Sequence, residues 1–143
     1  MGERVVVRVA SVAERGLCFG IRRRVFVHEQ RVPLAEDQDG LDEDAVHFLA
    51  SLDGEPVGTA RLRVAGGTAK AQRVAVLPDL RRGGVGRALM AAVEAEAHRR
   101  GLAEVVLHAQ VPVIPFYERL GYTAEGDVFF EAEIPHRRMR RRV

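Results

Sequence analysis

Arg73-Val74-Ala75-Val76-Leu77-Pro78-Asp79-Leu80-Arg81-Arg82-Gly83-Gly84-Val85-Gly86-Arg87-Ala88-Leu89 is the stretch that decides how this chain is read. The apolar run Val74-Ala75-Val76 breaks at Leu77-Pro78-Asp79, and an apolar-periodic stretch starts at Ala88-Leu89-Met90. The pattern is strand, Gly-rich turn, helix. Glycine lets a backbone turn tightly and approach a ligand closely. The first N–H groups of the next helix lack partners inside it, so they favour an anion. Arg81, Arg82 and Arg87 add positive charge at the two ends of the turn. A phosphate-bearing molecule suits such a cradle.

Two common phosphate loops are excluded. A nucleotide-hydrolase loop needs Gly-Lys followed by Ser or Thr, and this turn contains no Lys. A dinucleotide fingerprint begun at Gly84 meets Leu89 where its third Gly belongs, and the next strand closes at Ala109-Gln110 without an acid. What remains is Arg81-x-x-Gly84-x-Gly86, which alone also describes a Gly-rich turn with surface arginines. Downstream, Glu104-Val105-Val106-Leu107-His108-Ala109 is rich in β-branched residues and reads as a strand. Pro115 fits only a first helical turn and Gly121 is a C-terminal helix signal, so the stretch after Pro112, Val113 to Tyr122, holds a helix of about two turns.

Together these segments resemble the GNAT superfamily of N-acyltransferases. Its pyrophosphate loop is similar to Arg81-x-x-Gly84-x-Gly86, and its second signature to Tyr117-x-x-Leu120-Gly121-Tyr122. Two signatures in the right order and spacing are far more specific than either alone, and the resemblance then covers nearly the whole chain. A narrower likeness, to the ElaA-like branch, rests on Val25-Phe26-Val27-x-Glu29-Gln30, Asp39-Gly40-x-Asp42, His47, Ala109-Gln110 and Glu131-Ala132-x-Ile134-Pro135-His136-x-x-Met139. The superfamily usually has Asn where Gln110 stands, and the branch tends to have Gly where Glu133 stands, which leaves that turn open.

The resemblance implies an α/β (α+β) fold: a mixed, mostly antiparallel sheet with splayed central strands and flanking helices, in one domain over residues 1–143. It implies acetyl-CoA as co-substrate. The backbone of Val74, Ala75 and Val76 would pair with the pantetheine arm. Arg81, Arg82, Gly83, Gly84, Val85, Gly86 and Arg87 would hold the pyrophosphate, with Gln110 and Phe116 also against the cofactor. Tyr117 matches the family's general acid, placed to protonate the leaving thiolate; its other reading is a core tyrosine.

The general base is not placed by any shared motif. His28, Glu29, His47, His108, Glu131 and His136 are all chemically suitable, and water can carry the proton. Glu29, His47 and His136 are assigned to the acceptor pocket with Tyr117, because the end of the first helix, the hairpin strands and the final strands wall that side in the GNAT fold. The other explanation for these polar residues is that each satisfies backbone groups in loops. The acidic loop from Glu36 to Asp44 either attracts a cationic amine or is simply solvated.

Composition bounds the rest. A chain of 143 residues, 47% hydrophobic and 29% charged, is long enough for a real core and has no apolar run of membrane length. The single Cys18 excludes an internal disulfide and suits a reducing, cytoplasmic setting, and no secretory leader is recognisable. Arg22-Arg23-Arg24, Arg137-Arg138 and Arg140-Arg141-Arg142 are basic clusters, yet the net charge is only +2 and no aromatics interleave with them, so solvated faces are expected rather than nucleic-acid binding. His28-Glu29 lacks a second His four residues on, and there is no Cys cluster, so no metal site is expected.

Periodicity predicts strands at Arg4 to Val9, Ala45 to Leu52, Glu55 to Val64, Lys70 to Val76, Glu104 to Ala109, Thr123 to Phe130 and Pro135 to Arg140. A first helix capped by Ser11 runs to about His28, and Pro33 to Asp44 is a loop. The functional expectation is an acetyl-CoA-dependent N-acetyltransferase acting on an amine of a small molecule, peptide or protein, as a monomer or homodimer. The alternative is a catalytically silent CoA-binding or regulatory module. A nucleic-acid-binding protein would need the Gly-rich turn to be incidental.

Overall fold

The computed structural model describes residues 4–143; the first three residues of the expected domain lie outside them. Strand β1 (Val5–Val9) leads through a short 3₁₀ turn into α1 (Arg15–Arg22), which loosens into a π-helical segment over Arg23–Glu29. The Ser11 N–H donates to Glu14 Oε1 at 3.0 Å and so secures the start of this run. The single expected helix is therefore real as a path but changes pitch twice, and π segments of this kind recur at functional sites. The expected loop at 33–44 contains a further turn of helix, α2 (Leu34–Asp37). Pro33 pre-sets its start, and Glu36 and Asp37 sit in its first turn, where the helix dipole favours acids.

Strands β2 (Val46–Leu52), β3 (Glu55–Ala65) and β4 (Thr68–Val76) form an antiparallel meander. Its hairpins close on two-residue loops, Asp53-Gly54 and Gly66-Gly67, with positive φ at all four residues as a type I′ turn requires. Helix α3 (Val85–Arg99) then crosses to β5 (Glu104–Gln110), α4 (Ile114–Arg119) follows, and β6 (Thr123–Glu131) and β7 (Ile134–Arg142) form the last hairpin. The strand order is β1-β2-β3-β4-β5-β7-β6, with β7 inserted between β5 and β6.

Two apolar layers sandwich the sheet. Val85, Leu89, Met90 and Val93 of α3 pack on Phe48, Leu62, Val105 and Leu107 on one face. Cys18, Ile21 and Val25 pack on Leu49 and Ala75 on the other. At the crossing of β3 and α3 the chain needs Gly58, where a Cβ would come 2.9 Å from Val85 Cγ1 and 3.0 Å from Leu89 Cδ1. The decisive feature is the central parallel pair. β4 and β5 pair only at Ala69/Val105, Lys70/Val106 and Ala71/Leu107. Beyond Ala71 and Leu107 the strands diverge, which leaves the edge of Gln72 to Val76 unpaired toward β5.

Candidate functional site

The diverging strands open a cleft of about 910 Å³. On the β4 side, Arg73 has φ 53° and the β3 register slips between Thr59 and Arg61, a β-bulge that re-aims the strand as it enters the cleft. The side chains of Val74 and Val76 line the cleft, whereas Ala75 points into the apolar layer under α1 and can offer only its backbone.

Below this edge lies the Gly-rich turn. Arg82 and Gly84 have φ of 74° and 84°, on either side of Gly83. Alternating left-handed residues turn successive N–H groups into a concave anion nest. The N–H groups of Arg82, Gly83 and Gly84 meet no backbone carbonyl among the described residues. Those of Val85, Gly86 and Arg87 open α3 and are free by helix geometry. Val85 itself is buried, so only its backbone faces the nest. A Cβ on Gly86 would stand 3.1 Å from Phe116 Cζ, which explains why this position has no side chain: the Phe116 ring occupies the space and lines the cleft.

Tyr117 sits on α4 with its ring edge-on to Phe116 and Tyr122. It is 7% exposed and lines the cleft. Burial alone pushes its phenol well above the ordinary tyrosine value, so the group stays protonated and can donate. Tyr122 is different: its hydroxyl donates to Glu94 Oε2 at 2.7 Å and serves the packing of α4 on α3.

The four residues assigned to catalysis are not brought together. Tyr117 and His136 both line the cleft. Glu29 does not. It forms a bidentate pair with Arg81 at 2.6 and 2.7 Å, which holds its carboxyl below the ordinary range. Arg81 Nε also donates to Val76 O at 3.0 Å, so this pair ties the end of the first helical run to the Gly-rich turn rather than facing an acceptor. His47 is 1% exposed on the α1 face of β2, edge-on to Phe19, with Nε2 2.9 Å from Asp42 O. Burial lowers its pKa, so it is a neutral packing histidine outside the cleft. The reason for both corrections is the same: position along an element does not tell which face a side chain takes.

The acidic loop is solvated only in part: Glu36, Glu43 and Asp44 are exposed, whereas Asp37, Asp39 and Asp42 are taken up by arginines. Arg22, expected on a solvated face, is 1% exposed and bonds Asp37 at 3.1 Å and Asp42 at 2.7 Å. Arg61 bonds Asp39 at 2.8 Å and Asp42 at 2.9 Å, and Arg73 bonds Asp39 at 3.1 Å. This ionic lattice clamps the 34–44 segment onto the sheet, where Glu36 and Asp37 line the cleft.

Gln30, His108 and Glu131 were candidates in the sequence without an assigned place, and all three line the cleft. Gln30 Oε1 accepts from Gln110 Nε2 at 2.9 Å, linking the first helical run to the end of β5. His108 on β5 and Glu131 on β6 line the cleft as a pair, with Nδ1 to Oε1 2.6 Å. Strand periodicity carries a signal for the first: Leu107 and Ala109 face the α3 core, so His108 and Gln110 share the opposite face. Nothing local marks Glu131 as its partner.

A profile of the acetyltransferase (GNAT) domain matches residues 9–143. The chain belongs to the GNAT acetyltransferases. It is similar to YjcF of Bacillus subtilis, an uncharacterized N-acetyltransferase, at 40% identity over 123 residues, covering 85% of this chain and 87% of that one. Protein ElaA of Escherichia coli is 33% identical over 138 residues, covering 93% and 90%, and its crystal structure superposes with a TM-score of 0.80 over 98% of this chain and 99% of ElaA. An acyl-CoA N-acyltransferase from Pseudomonas aeruginosa superposes with a TM-score of 0.82 at 31% identity, covering 98% and 99%. The ElaA-like branch and the GNAT fold expected from the motifs are thus found. As a family member the chain is an acyltransferase, built on a fold that binds acetyl-CoA and serves amine acceptors. No helix among the described residues is long and apolar enough to cross a membrane, and no group of three or more His, Cys, Asp or Glu among them is placed to hold a metal ion.

Proposed function

We propose that this GNAT protein transfers the acetyl group of acetyl-CoA directly to an amine of a small molecule, peptide or protein, with Tyr117 as general acid. The observation that carries the reading is the pairing of two features in one cleft: an N–H nest over Arg82 to Arg87 that meets no backbone carbonyl, and a buried, protonated Tyr117 phenol that lines the same cleft as the free edge of β4. The residues present fit a CoA thioester. The nest and Arg87 suit a pyrophosphate, the Gln72 to Val76 edge suits the amides of the pantetheine arm, and Phe116 covers apolar area between them. The acyl-CoA chemistry named for the Pseudomonas relative supports the same choice.

When bound, the thioester supplies an activated acyl carbonyl. The chain's own groups do the rest. A backbone N–H of the β4 edge steadies the negative charge that develops on the carbonyl oxygen. Tyr117 gives its proton to the departing sulfur; general-acid help of this kind is worth about 10²–10⁴-fold in rate. His136, with Nδ1 on Ile134 O at 2.6 Å, walls the acceptor side. The test is thiol release from acetyl-CoA with a panel of spermidine, tyramine, glycine, a Lys-bearing peptide and an N-terminal Ser peptide, beside thermal shifts with acetyl-CoA and with RNA. Stabilisation by acetyl-CoA and amine-dependent thiol release are expected. Stabilisation by RNA alone defeats the reading, and acetyl-CoA binding without thiol release leaves only a binding module.

A further inference from the structure

His108 is the first residue of β5 past the last bridge to β4, so it stands where the cleft begins to open. It alternates with Leu107 and Ala109, which face the α3 core together with Tyr117. Its imidazole therefore enters the cleft from the face opposite the phenol. Its Nδ1 lies 2.6 Å from Glu131 Oε1, and its ring is edge-on to Phe129 at 4.9 Å. A carboxylate on Nδ1 sets the tautomer and leaves Nε2 with the basic lone pair. The side chain is 43% exposed, which gives the proton a route to water.

Resting on the acetyltransferase reading above, we propose that His108, positioned by Glu131, is the general base that takes the proton of the acceptor amine. His108 Nε2 removes one N–H proton from the neutral amine as the nitrogen lone pair forms the N–C bond. The C–S bond breaks with its pair on sulfur, which takes the Tyr117 proton. The imidazolium then loses its proton to water and the phenolate regains one, so the protein ends as it began. His136 is the rival within reach. Its Nδ1, however, is held by a neutral carbonyl, that of Ile134 at 2.6 Å, whereas His108 has a carboxylate that favours the imidazolium formed in the step.

The charges facing this pair are mixed. Arg138 is directly opposite His108 on β7, and His136 lies two residues before it. Arg73 and Lys70 of β4 and Glu36 and Asp37 of α2 line the same cleft as the pair. Glu131 is held below the ordinary carboxylate range, first by His108 and then by the charges of His136 and Arg73 against the opposing effect of burial. It therefore stays ionised near neutral pH.

The experiment measures kcat and kcat/KM from pH 5 to 9 for wild type and for His108→Ala, Glu131→Gln and His136→Asn. It uses acetyl-CoA with the panel amine turned over fastest, and acetyl-CoA hydrolysis by water as an acceptor-free readout. His108→Ala is expected to lose about 10²–10⁴-fold in kcat and the acidic limb of the profile, with unchanged acetyl-CoA affinity and partial rescue by added imidazole. Glu131→Gln is expected to move that limb to lower pH, which loss of packing alone does not do. A His108→Ala enzyme within three-fold of wild type and with the same profile overturns the proposal, as does loss of the limb in His136→Asn alone. A wild-type protein that neither binds acetyl-CoA nor releases thiol defeats the underlying reading instead.

Discussion

Arg61 is the sharpest place to perturb the wall of the cleft. Its guanidinium is 1% exposed and bonds Asp39 at 2.8 and 2.9 Å, Asp42 at 2.9 Å and Gln72 Oε1 at 2.7 Å. Arg61→Met keeps the length and removes the charge. Deleting one partner of a buried ion pair typically costs about 3–5 kcal/mol. The lower end applies here, because Asp39 keeps Arg73 at 3.1 Å and Asp42 keeps Arg22 at 2.7 Å, and both carboxylates are about a fifth exposed. At about 2–4 °C per kcal/mol for a chain of this size, a loss of about 3 kcal/mol lowers the melting temperature by about 6–12 °C.

The effect has a pH signature. The Arg61 hydrogen bonds hold the Asp39 carboxyl well below its usual value, and Arg22 and Arg61 outweigh burial to lower Asp42 as well. A carboxyl depressed in the folded state contributes stability above its unfolded pKa of about 3.9, and that contribution is lost as pH falls through the folded value. Wild type and Arg61→Met should therefore differ most at pH 6 to 8 and converge toward pH 2. Thermal melts followed by circular dichroism across that range read both quantities. A drop of less than 2 °C at pH 7, or a difference that does not shrink in acid, would refute the lattice as a clamp on the 34–44 segment.

Three further outcomes are expected. Tyr117→Phe keeps the ring packing and acetyl-CoA affinity but loses about 10²–10⁴-fold in kcat; a variant within a few-fold of wild type in steady-state thiol release makes Tyr117 a packing residue. Gly84→Ala adds a Cβ with no protein atom within 4 Å, so its folding cost is only that of the left-handed backbone at φ 84°, about 1–2 kcal/mol. Its acetyl-CoA affinity by calorimetry should fall at least tenfold while it remains folded, and unchanged affinity counts against the nest. Glu133→Gly should stabilise the protein by about 1 kcal/mol, because Ala132 and Glu133 occupy a two-residue hairpin at φ 50° and 63° where L side chains are strained. A lower melting temperature for this variant would contradict the strain.

That last hairpin shows where the sequence was legible and where it was not. Asp53-Gly54 and Gly66-Gly67 announce their turns, because positive φ demands such residues; Ala132-Glu133 takes the same turn with none of them, held by the pairing of Glu131 with Ile134. The same division runs through the cleft. The Gly-rich turn, the short helix with Tyr117 and the alternation of β5 are local constraints of backbone angle, helix termination and strand period, and they stand in the sequence itself. Local pattern does not carry which strands adjoin or which side chains meet across them. The β6–β7 hairpin docks on β5 through β7, and its end brings Glu131 to His108, 23 residues apart. The turn of α1 into the π segment ends with Glu29 on Arg81, 52 residues away, instead of at the acceptor. Burial of Arg22 and Arg61 under the 34–44 segment neutralises Asp37, Asp39 and Asp42 of an acidic loop that otherwise faces water. Charged residues without periodicity take their meaning from partners far along the chain, and only sheet register and helix packing choose those partners.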